Sequence, residues 1–160
     1  MTSSTPPARS EDPIRVAVLS ADRVFADSLA VTLAGEGLFA VRLAPAQAAG
    51  STGLDVVVVE SSGLDDPLWR TAEALRLDDP LVELVVVTSE PDVHDAVETV
   101  RSGAYTVLQY PVSGEELAAA VVAAGRRKRR ARQRINQIDH ERYADDSRTP
   151  AGDSARRRTE

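Results

Sequence analysis

Two runs of consecutive valines constrain the fold of this chain more than any other feature. Residues 56–59 are four valines followed by Glu60, and residues 85–87 are three valines followed by Thr88. A strand with one face in water alternates apolar and polar residues, whereas unbroken apolar runs are typical of parallel strands covered on both faces. The two runs therefore predict central strands of a parallel sheet.

The region from Ile14 to Gly125 alternates strand and helix patterns around these runs. The predicted strands are residues 14–19, 39–43, 55–59, 84–87 and 105–109. The predicted helices lie at residues 22–35, within the weakly patterned residues 45–53, at residues 67–77 and 93–103, and from residue 113 onward. This alternation predicts an α/β fold with a doubly wound five-stranded parallel sheet and helices on both faces.

Polar residues indicate where two of the helices begin. Asp22 or Ser20 can accept hydrogen bonds from the first N–H groups of the first helix. Ser113 and Glu116 have the spacing of a capping box at the start of the last helix. We therefore assign Asp22 to a helix start and not to a metal site.

Several classes of protein are excluded by what the sequence lacks. It has no cysteine, and its longest uncharged apolar stretch is far too short to cross a bilayer. Residues 1–13 are polar and have no apolar signal core, so we expect a disordered N-terminus and a cytoplasmic protein. No phosphate-binding loop is present, and His94 and His140 are far apart in sequence. We therefore predict no enzyme, no cofactor and no metal.

Charge is divided between two regions of the chain. Residues 1–125 contain seven arginines and no lysine against nineteen acidic residues, a net charge of −12, whereas residues 126–160 contain twelve basic and six acidic residues, a net charge of +6. The basic region opens with a dense run of cations: Arg126, Arg127, Lys128, Arg129, Arg130, Arg132 and Arg134. We interpret residues 126–143 as a basic helical extension that forms a binding arm, and residues 144–160 as a disordered tail.

A second pattern runs from the last predicted helix into the basic run. Eight positions follow 4,3 spacing: Leu117, Val121, Ala124, Lys128, Ala131, Ile135, Ile138 and Arg142. Such spacing is typical of a helix that pairs with a copy of itself. Two of the eight positions are charged, however, and Gly125 disfavours a helix by about 1 kcal/mol. A solvated extension and a homodimer therefore both remain open.

Between Ile14 and Gly125 the chain resembles the receiver domain of two-component response regulators. The resemblance rests on the order and spacing of these segments: residues 14–19, 54–59, 85–89, 102–104, 110–111 and 113–117. It implies a CheY-like, flavodoxin-like fold and a role in signal transduction. In that family an Asp at the end of the third strand accepts a phosphoryl group, an acidic pair after the first strand holds Mg²⁺, and a Thr or Ser and a Lys complete the site.

The corresponding positions of this chain carry other side chains. In chain order they are Ser20, Ala21, Glu60, Thr88 and Tyr110, and the family's aromatic switch position falls on Val107. Only Thr88 fits the pattern. Mg²⁺ usually needs one or two carboxylates, and a Glu displaces its carboxylate by about 1 Å from where an Asp would hold it, which can cost on the order of 100-fold in rate. The resemblance therefore implies a degenerate, atypical pseudo-receiver that lacks the phosphorylation site.

Two functional hypotheses follow. The first is an atypical receiver module that acts in signal transduction or transcriptional regulation by binding a protein, independently of aspartate phosphorylation, through its predicted fourth helix, fifth strand and fifth helix. The alternative is a nucleic-acid-associated regulator that uses the basic arm. Glu60 is either a fixed charge that imitates phosphorylation or a solvated acid at the rim of the crevice, and we expect Tyr110 to pack over that crevice.

Overall fold

A computed structural model of the chain describes residues 12–48, 51, 53–89 and 92–148. Its centre is a sheet of five parallel strands in the order β2-β1-β3-β4-β5. The strands are β1 (Arg15–Leu19), β2 (Phe39–Arg42), β3 (Val56–Glu60), β4 (Glu83–Thr88) and β5 (Thr106–Gln109). The predicted doubly wound, five-stranded parallel sheet is therefore confirmed.

In the described part of the chain, three α-helices connect strands and a fourth follows β5. They are α1 (Arg23–Gly35), α2 (Pro67–Asp78), α3 (Val93–Arg101) and α4 (Gly114–Asp146). In the region predicted to hold one short helix, residues 45–53, the described residues form a single 3-10 turn, Pro45–Gln47, and residues 49, 50 and 52 lie outside the described part of the chain. None of the three residues of the turn is buried, whereas Ala48 directly after it packs in the core. The predicted fourth and fifth helices are therefore α3 and α4.

Successive valines of the sheet belong to two different cores. Val56 and Val58 pack in the core that contains α1 and α4, whereas Val57 and Val59 pack in the core that contains α2 and its buried Trp69. The side chains of a strand alternate between its two faces, so a strand that is covered on both sides needs an apolar residue at every position. This explains why the runs predicted central strands.

Helix α3 turns its apolar side away from the sheet. Val93, Val97 and Val100 are 77%, 43% and 45% exposed, respectively. The buried residue of this helix is Thr99, whose hydroxyl donates a hydrogen bond to the carbonyl oxygen of Asp95 at 2.7 Å. The helix expected from the spacing of these valines is present, but its valine stripe faces solvent.

Helix α4 is much longer than the others, with 33 residues. Its first half packs on the sheet, and Gly125 permits a close approach, because a Cβ there would lie 2.8 Å from Cγ2 of Ile14. From residue 132 to residue 148 every residue is exposed. No helix in the described ranges is both long and apolar enough to span a bilayer.

Two predicted boundaries can be compared with α4. The helix continues without a break across residues 125 and 126, and it runs through Asp146, so the tail boundary placed at residue 144 is wrong. Residues 149–160, and residues 1–11 of the segment predicted to be disordered, lie outside the described residues.

Candidate functional site

The carboxyl ends of β1, β3 and β4 form an open cleft of about 690 Å³. These strands are neighbours in the sheet, with Leu19 beside Val59 and Glu60 beside Val87. The cleft is lined by Ala21, Pro45, Glu60, Ser61, Ser62, Asp66, Pro67, Leu68, Thr71, Thr88 and Ser89. The predicted site positions Ala21, Glu60 and Thr88 therefore come together, and the described residues that line the cleft include carboxylates but no lysine or arginine.

Ser20 links the first and third strands at the edge of this cleft. Its hydroxyl donates a hydrogen bond to Oε2 of Glu60 at 2.6 Å and accepts one from the backbone N–H of Asp22 at 3.0 Å. Ser20 is buried and Glu60 is partly buried. The interpretation of Glu60 as a merely solvated acid is therefore wrong, because a neighbouring strand holds its carboxylate.

Asp22 is occupied as a helix cap. Its Oδ1 accepts hydrogen bonds from the backbone N–H groups of Val24 at 2.9 Å and Phe25 at 3.2 Å. Asp66 caps α2 in the same way, through the N–H of Leu68 at 2.9 Å. The predicted cap at Asp22 is confirmed. In the part of the chain that the structure describes, no three acidic or histidine side chains come together as metal ligands.

Tyr110 packs against α1 and does not line the cleft. Its ring lies 4.9 Å from the ring of Phe25, centroid to centroid, in an edge-to-face arrangement at 74°. The Tyr110-Pro111 peptide bond is cis. The position that the resemblance gives to a Lys therefore holds an aromatic side chain in contact with the first turn of a helix. Val107 is partly buried and, with Thr88, lines a small depression next to α3.

The basic run contains one residue that is fully enclosed. Lys128 is 1% exposed, and its Nζ donates hydrogen bonds to Oδ2 of Asp79 at 2.7 Å and to the carbonyl oxygen of Leu54. A buried ammonium with these partners is not available to bind phosphates. The prediction that Lys128 belongs to a binding arm is therefore wrong.

The neighbours of Lys128 also bind acids at the amino ends of the strands. Arg129 donates to the carbonyl oxygen of Asp12 at 2.6 Å and lies 3.4 Å from Oδ2 of Asp55. Arg127 lies 3.3 Å from Oε1 of Glu83, and its guanidinium stands 5.7 Å from the centroid of the Tyr105 ring. We call Arg127, Lys128 and Arg129 with Asp55, Asp79 and Glu83 the amino-edge cluster. It fixes the middle of α4 to the sheet.

The pKa values of two carboxyl groups in the amino-edge cluster are shifted in opposite directions. Partial burial tends to raise the pKa of Asp79, but the hydrogen bond and positive charge of Lys128 outweigh it, and the pKa is lowered. Burial raises the pKa of Glu83, against the opposing charges of Arg127 and Arg76. The charged form of Asp79 is therefore stabilised by Lys128, whereas burial makes the charged form of Glu83 less favourable.

A groove of about 770 Å³ lies beside the amino-edge cluster. Six cationic side chains and two carboxylates border it: Arg15, Arg126, Lys128, Arg129, Arg130, Arg132, Asp12 and Asp55. Arg126, Arg130 and Arg132 are exposed, as is Arg134 farther along α4. The part of the predicted arm that remains accessible therefore starts beside the sheet and continues along the helix.

Comparison with known proteins identifies the fold. No protein-family model matches the chain, and no curated protein matches it in sequence. A CheY-like response regulator receiver domain protein from Methanospirillum hungatei JF-1 has a TM-score of 0.64 at 15% identity, over 74% of this chain and 98% of that chain. The receiver domain protein from Clostridium thermocellum has a TM-score of 0.61 at 17% identity, over 72% and 96%. A structure of adenylate cyclase from Rhodopirellula baltica has a TM-score of 0.68 at 17% identity, over 79% and 98%. The resemblance to receiver domains is therefore confirmed at the level of the fold.

Proposed function

We propose that this chain is an atypical receiver module that acts in signal transduction or transcriptional regulation by binding a protein, independently of aspartate phosphorylation. The binding face consists of α3, β5 and the first half of α4. The module works by recognition and not as an enzyme, and it needs no cofactor. Its cytoplasmic location stays a prediction from the sequence.

The observation that carries this proposal is the outward valine stripe of α3. Val93, Val97 and Val100 lie on one side of a single short helix and are all exposed. Valine side chains gain free energy when they leave water, at roughly 25 cal/mol for each Å² of apolar surface buried. A stripe of this kind on a helix next to an edge strand favours a protein partner over a small polar ligand.

The cleft supports the proposal that the module acts independently of aspartate phosphorylation. Its acceptor position holds Glu60, whose carboxylate already accepts a hydrogen bond from Ser20. The lining contains carboxylates and hydroxyls but no cation that would neutralise a transferred phosphoryl group. Tyr110, at the position of the family's Lys, packs on Phe25. A phosphoryl group of about two negative charges would therefore lie beside carboxylates and neutral hydroxyls, with no cation among the described lining residues to neutralise it.

Phosphorylation is tested on the purified full-length chain. After incubation with acetyl phosphate and Mg²⁺, its intact mass should be unchanged, while an unrelated, phosphorylatable receiver domain treated in parallel gains one phosphoryl group. An added phosphoryl group mapped to Glu60, Thr88 or Ser89 would overturn the claim of phosphorylation independence.

The binding face is tested with two matched variants. Val97→Asp places a charge on the α3 stripe, and Val31→Asp places one on α1, where Val31 is 72% exposed. A partner captured by the wild-type chain should be lost by Val97→Asp and retained by Val31→Asp, with both variants folded by circular dichroism. Equal loss in both, or retention in both, would contradict the assignment of the face.

A second candidate function is supported by the basic groove. Apart from the enclosed Lys128, five arginines against two carboxylates leave the groove net positive, and contacts between such cations and phosphates give sequence-independent, salt-dependent affinity for nucleic acid. Gel shifts on duplex DNA and RNA at low and high salt test this candidate. It requires binding that Arg126→Glu with Arg130→Glu abolishes, and absence of binding at low salt excludes it.

A further inference from the structure

The edge of the sheet at β2 is more accessible than the edge at β5. β2 is an outer strand that pairs with β1 alone. Three of its four residues are exposed and Ala40 is partly buried, whereas three of the four residues of β5 are partly buried. β2 therefore presents the larger free surface to a partner.

The backbone of β2 turns hydrogen-bonding groups toward this edge. The N–H groups of Phe39 and Leu43 donate to carbonyl oxygens on the β1 side at 3.3 Å and 2.9 Å. In a strand, the N–H and C=O groups of successive residues point alternately to the two sides. Those of Ala40 and Arg42 therefore point away from β1, where the described residues form no further strand. A row of such groups is a template for another strand.

One face of β2 is apolar and accessible. Phe39 and Val41 are 57% and 40% exposed, and they lie on the same face because they are two positions apart. This is the face that α2 covers farther along the sheet, since Val41 pairs with Ala17 of the core that contains α2. Between β2 and β3 the described residues form no α-helix that could cover the two side chains.

The opposite face of β2 carries an ion pair. Nε of Arg42 lies 3.1 Å from Oδ1 of Asp27 on α1. In many proteins a lysine, a proline or a bulge in an edge strand prevents it from pairing with another edge. β2 contains neither lysine nor proline, and the charge of its single arginine is balanced by Asp27. This strand therefore lacks the usual protection against pairing.

We propose that β2 of one copy of this chain pairs antiparallel with β2 of a second copy, so that two five-stranded sheets join into one. The two-fold axis passes beside Val41, which lies opposite Val41 of the second copy. Ala40 then lies opposite Arg42 of the second copy, and the axis repeats this pair. The outward N–H and C=O groups of these residues bind each other across the two strands.

The side chains on both faces are complementary in this register. On the apolar face, Val41 packs on Val41 of the second copy, and Phe39 lies opposite Leu43 of the second copy. Apolar pairs of this kind stabilise a sheet. On the other face each Arg42 keeps Asp27 of its own copy, so two ion pairs lie side by side near the axis and their charges cancel.

The neighbouring registers are less favourable. An axis beside Ala40 would place Arg42 opposite Leu38, whose N–H already donates to the carbonyl oxygen of Leu33 at 3.1 Å. An axis beside Arg42 would place two arginines directly opposite each other, and like charges at such positions are destabilising. The axis beside Val41 avoids both problems.

Helix α1 leaves room for this arrangement. It connects β1 to β2 and packs on both. Since neighbouring strands are about 4.8 Å apart, a helix centred over these two would lie about 10 Å from its two-fold copy, close to the usual distance between packed helices. The ion pair with β2 shows that Asp27 is on the side of α1 toward the edge. Ala30 and Ala34, on the same side, are small enough for the two helices to pack.

Disulfide cross-linking of the full-length chain tests the register. The chain has no cysteine, so a single introduced cysteine reports on one position. At the axis the two Cα atoms would be about 4.5 Å apart, within the range of a disulfide. Under mild oxidation Val41→Cys should therefore cross-link about tenfold faster or more than Val24→Cys, which is 77% exposed on α1, because the axis holds the second thiol at a high effective concentration.

Sedimentation equilibrium tests the association itself. Val41→Lys places two ammonium groups opposite each other, and Ala40→Pro removes an outward N–H at an edge position where proline is tolerated. Each should raise the dimer dissociation constant about tenfold or more. Val41→Thr keeps a branched, uncharged side chain and should change the constant by less than about threefold. Val97→Asp, on the α3 stripe at the far side of the sheet, should leave it unchanged.

Circular dichroism establishes that each variant is folded. A wild-type chain that stays monomeric at millimolar concentration would overturn the proposal, as would equal cross-linking rates at positions 41 and 24. So would a dimer that persists in both folded Val41→Lys and folded Ala40→Pro. A dimer that Val97→Asp abolishes would place the contact on the α3 face instead.

Discussion

Lys128 of α4 and Asp79 before β4 form an ion pair of 2.7 Å in which the lysine side chain is almost completely enclosed. Within the described residues this contact joins two segments that are 49 positions apart in the chain. The carbonyl oxygen of Leu54 accepts a further hydrogen bond from the same ammonium. The middle of the long helix is thus fixed to the loop regions at the amino ends of β3 and β4.

Removal of one partner of this pair should be costly. Asp79→Asn leaves a buried ammonium without its carboxylate, and we expect a loss of about 2–4 kcal/mol in the free energy of unfolding. Lys128→Met together with Asp79→Asn should recover part of that loss, since no charge then remains buried. The surface pair Arg101 and Glu98, at 3.3 Å and largely exposed, serves as control, and Arg101→Ala should change little. Urea denaturation measures the free energy of unfolding of all three variants. Equal losses in Asp79→Asn and Arg101→Ala would contradict the claim that burial makes the Lys128–Asp79 pair more important than a surface pair.

The same cluster predicts two opposite pH dependences. The pKa of Asp79 is lowered in the folded chain, so its contribution to stability is fully present above its unfolded pKa of about 3.9 and is lost as the pH falls through the lower folded pKa. The stability difference between wild type and Asp79→Asn should therefore shrink in acid. The pKa of Glu83 is raised, so its relative contribution decreases as the pH rises through about 4.3 and beyond.

Stability curves of wild type, Asp79→Asn and Glu83→Gln between neutral pH and acid can check these signs. The two difference curves should have opposite slopes. Parallel slopes would show that the charge of Lys128 does not outweigh burial at Asp79.

Two helical glycines should respond differently to alanine. Gly35 ends α1, and a Cβ added there would have no neighbour within 4 Å, whereas a Cβ at Gly125 would lie 2.8 Å and 2.9 Å from two side-chain atoms of Ile14. Gly35→Ala should stabilise the chain by about 0.4–1 kcal/mol, because it restricts the unfolded chain. Gly125→Ala restricts the unfolded chain in the same way but crowds Ile14, and we expect a net loss of about 1 kcal/mol or more in the free energy of unfolding. Thermal or urea denaturation measures both, and a stabilising Gly125→Ala would mean that Ile14 moves aside freely.

The contact between Ser20 and Glu60 should make the cleft sensitive to added negative charge. Ser20→Asp puts a second carboxylate within hydrogen-bonding distance of Glu60, where the wild-type contact is 2.6 Å. Ser20→Asn has a similar size and no charge. Above about pH 5 the Asp variant should be less stable than the Asn variant by about 1–2 kcal/mol, and the gap should close in acid, where one carboxyl is protonated. Equal stability at neutral pH would indicate that Glu60 moves out to solvent.

Much of the fold could be predicted because its signals are local. The valine runs report burial on two faces, and Asp22 marks the start of a helix through hydrogen bonds to residues two and three positions ahead. The positions of the altered receiver site also follow from the order of the strands. Each of these features depends on neighbours in sequence or on a regular repeat.

The remaining features depend on contacts between distant segments. In the sequence, a lysine among arginines is typical of a solvated segment. Lys128 is buried because α4 packs over Asp79, which the sequence does not show. The spacing of Val93, Val97 and Val100 defines a side of α3 but carries no information on whether another element covers it. The hydrogen bond from Ser20 to Glu60 likewise appears only when β1 and β3 are neighbours in the sheet.

The continuity of α4 has a mechanical consequence. With 33 residues at about 1.5 Å each, the helix is roughly 50 Å long, and the amino-edge cluster clamps it near its midpoint. A binding event that tilts the first half of α4 against the sheet would therefore displace its far end in the opposite direction, because the helix rotates about the amino-edge cluster. Any protein, nucleic acid or second chain bound at residues 130–146 would move with that end, because the helix is continuous and has no hinge between its two ends.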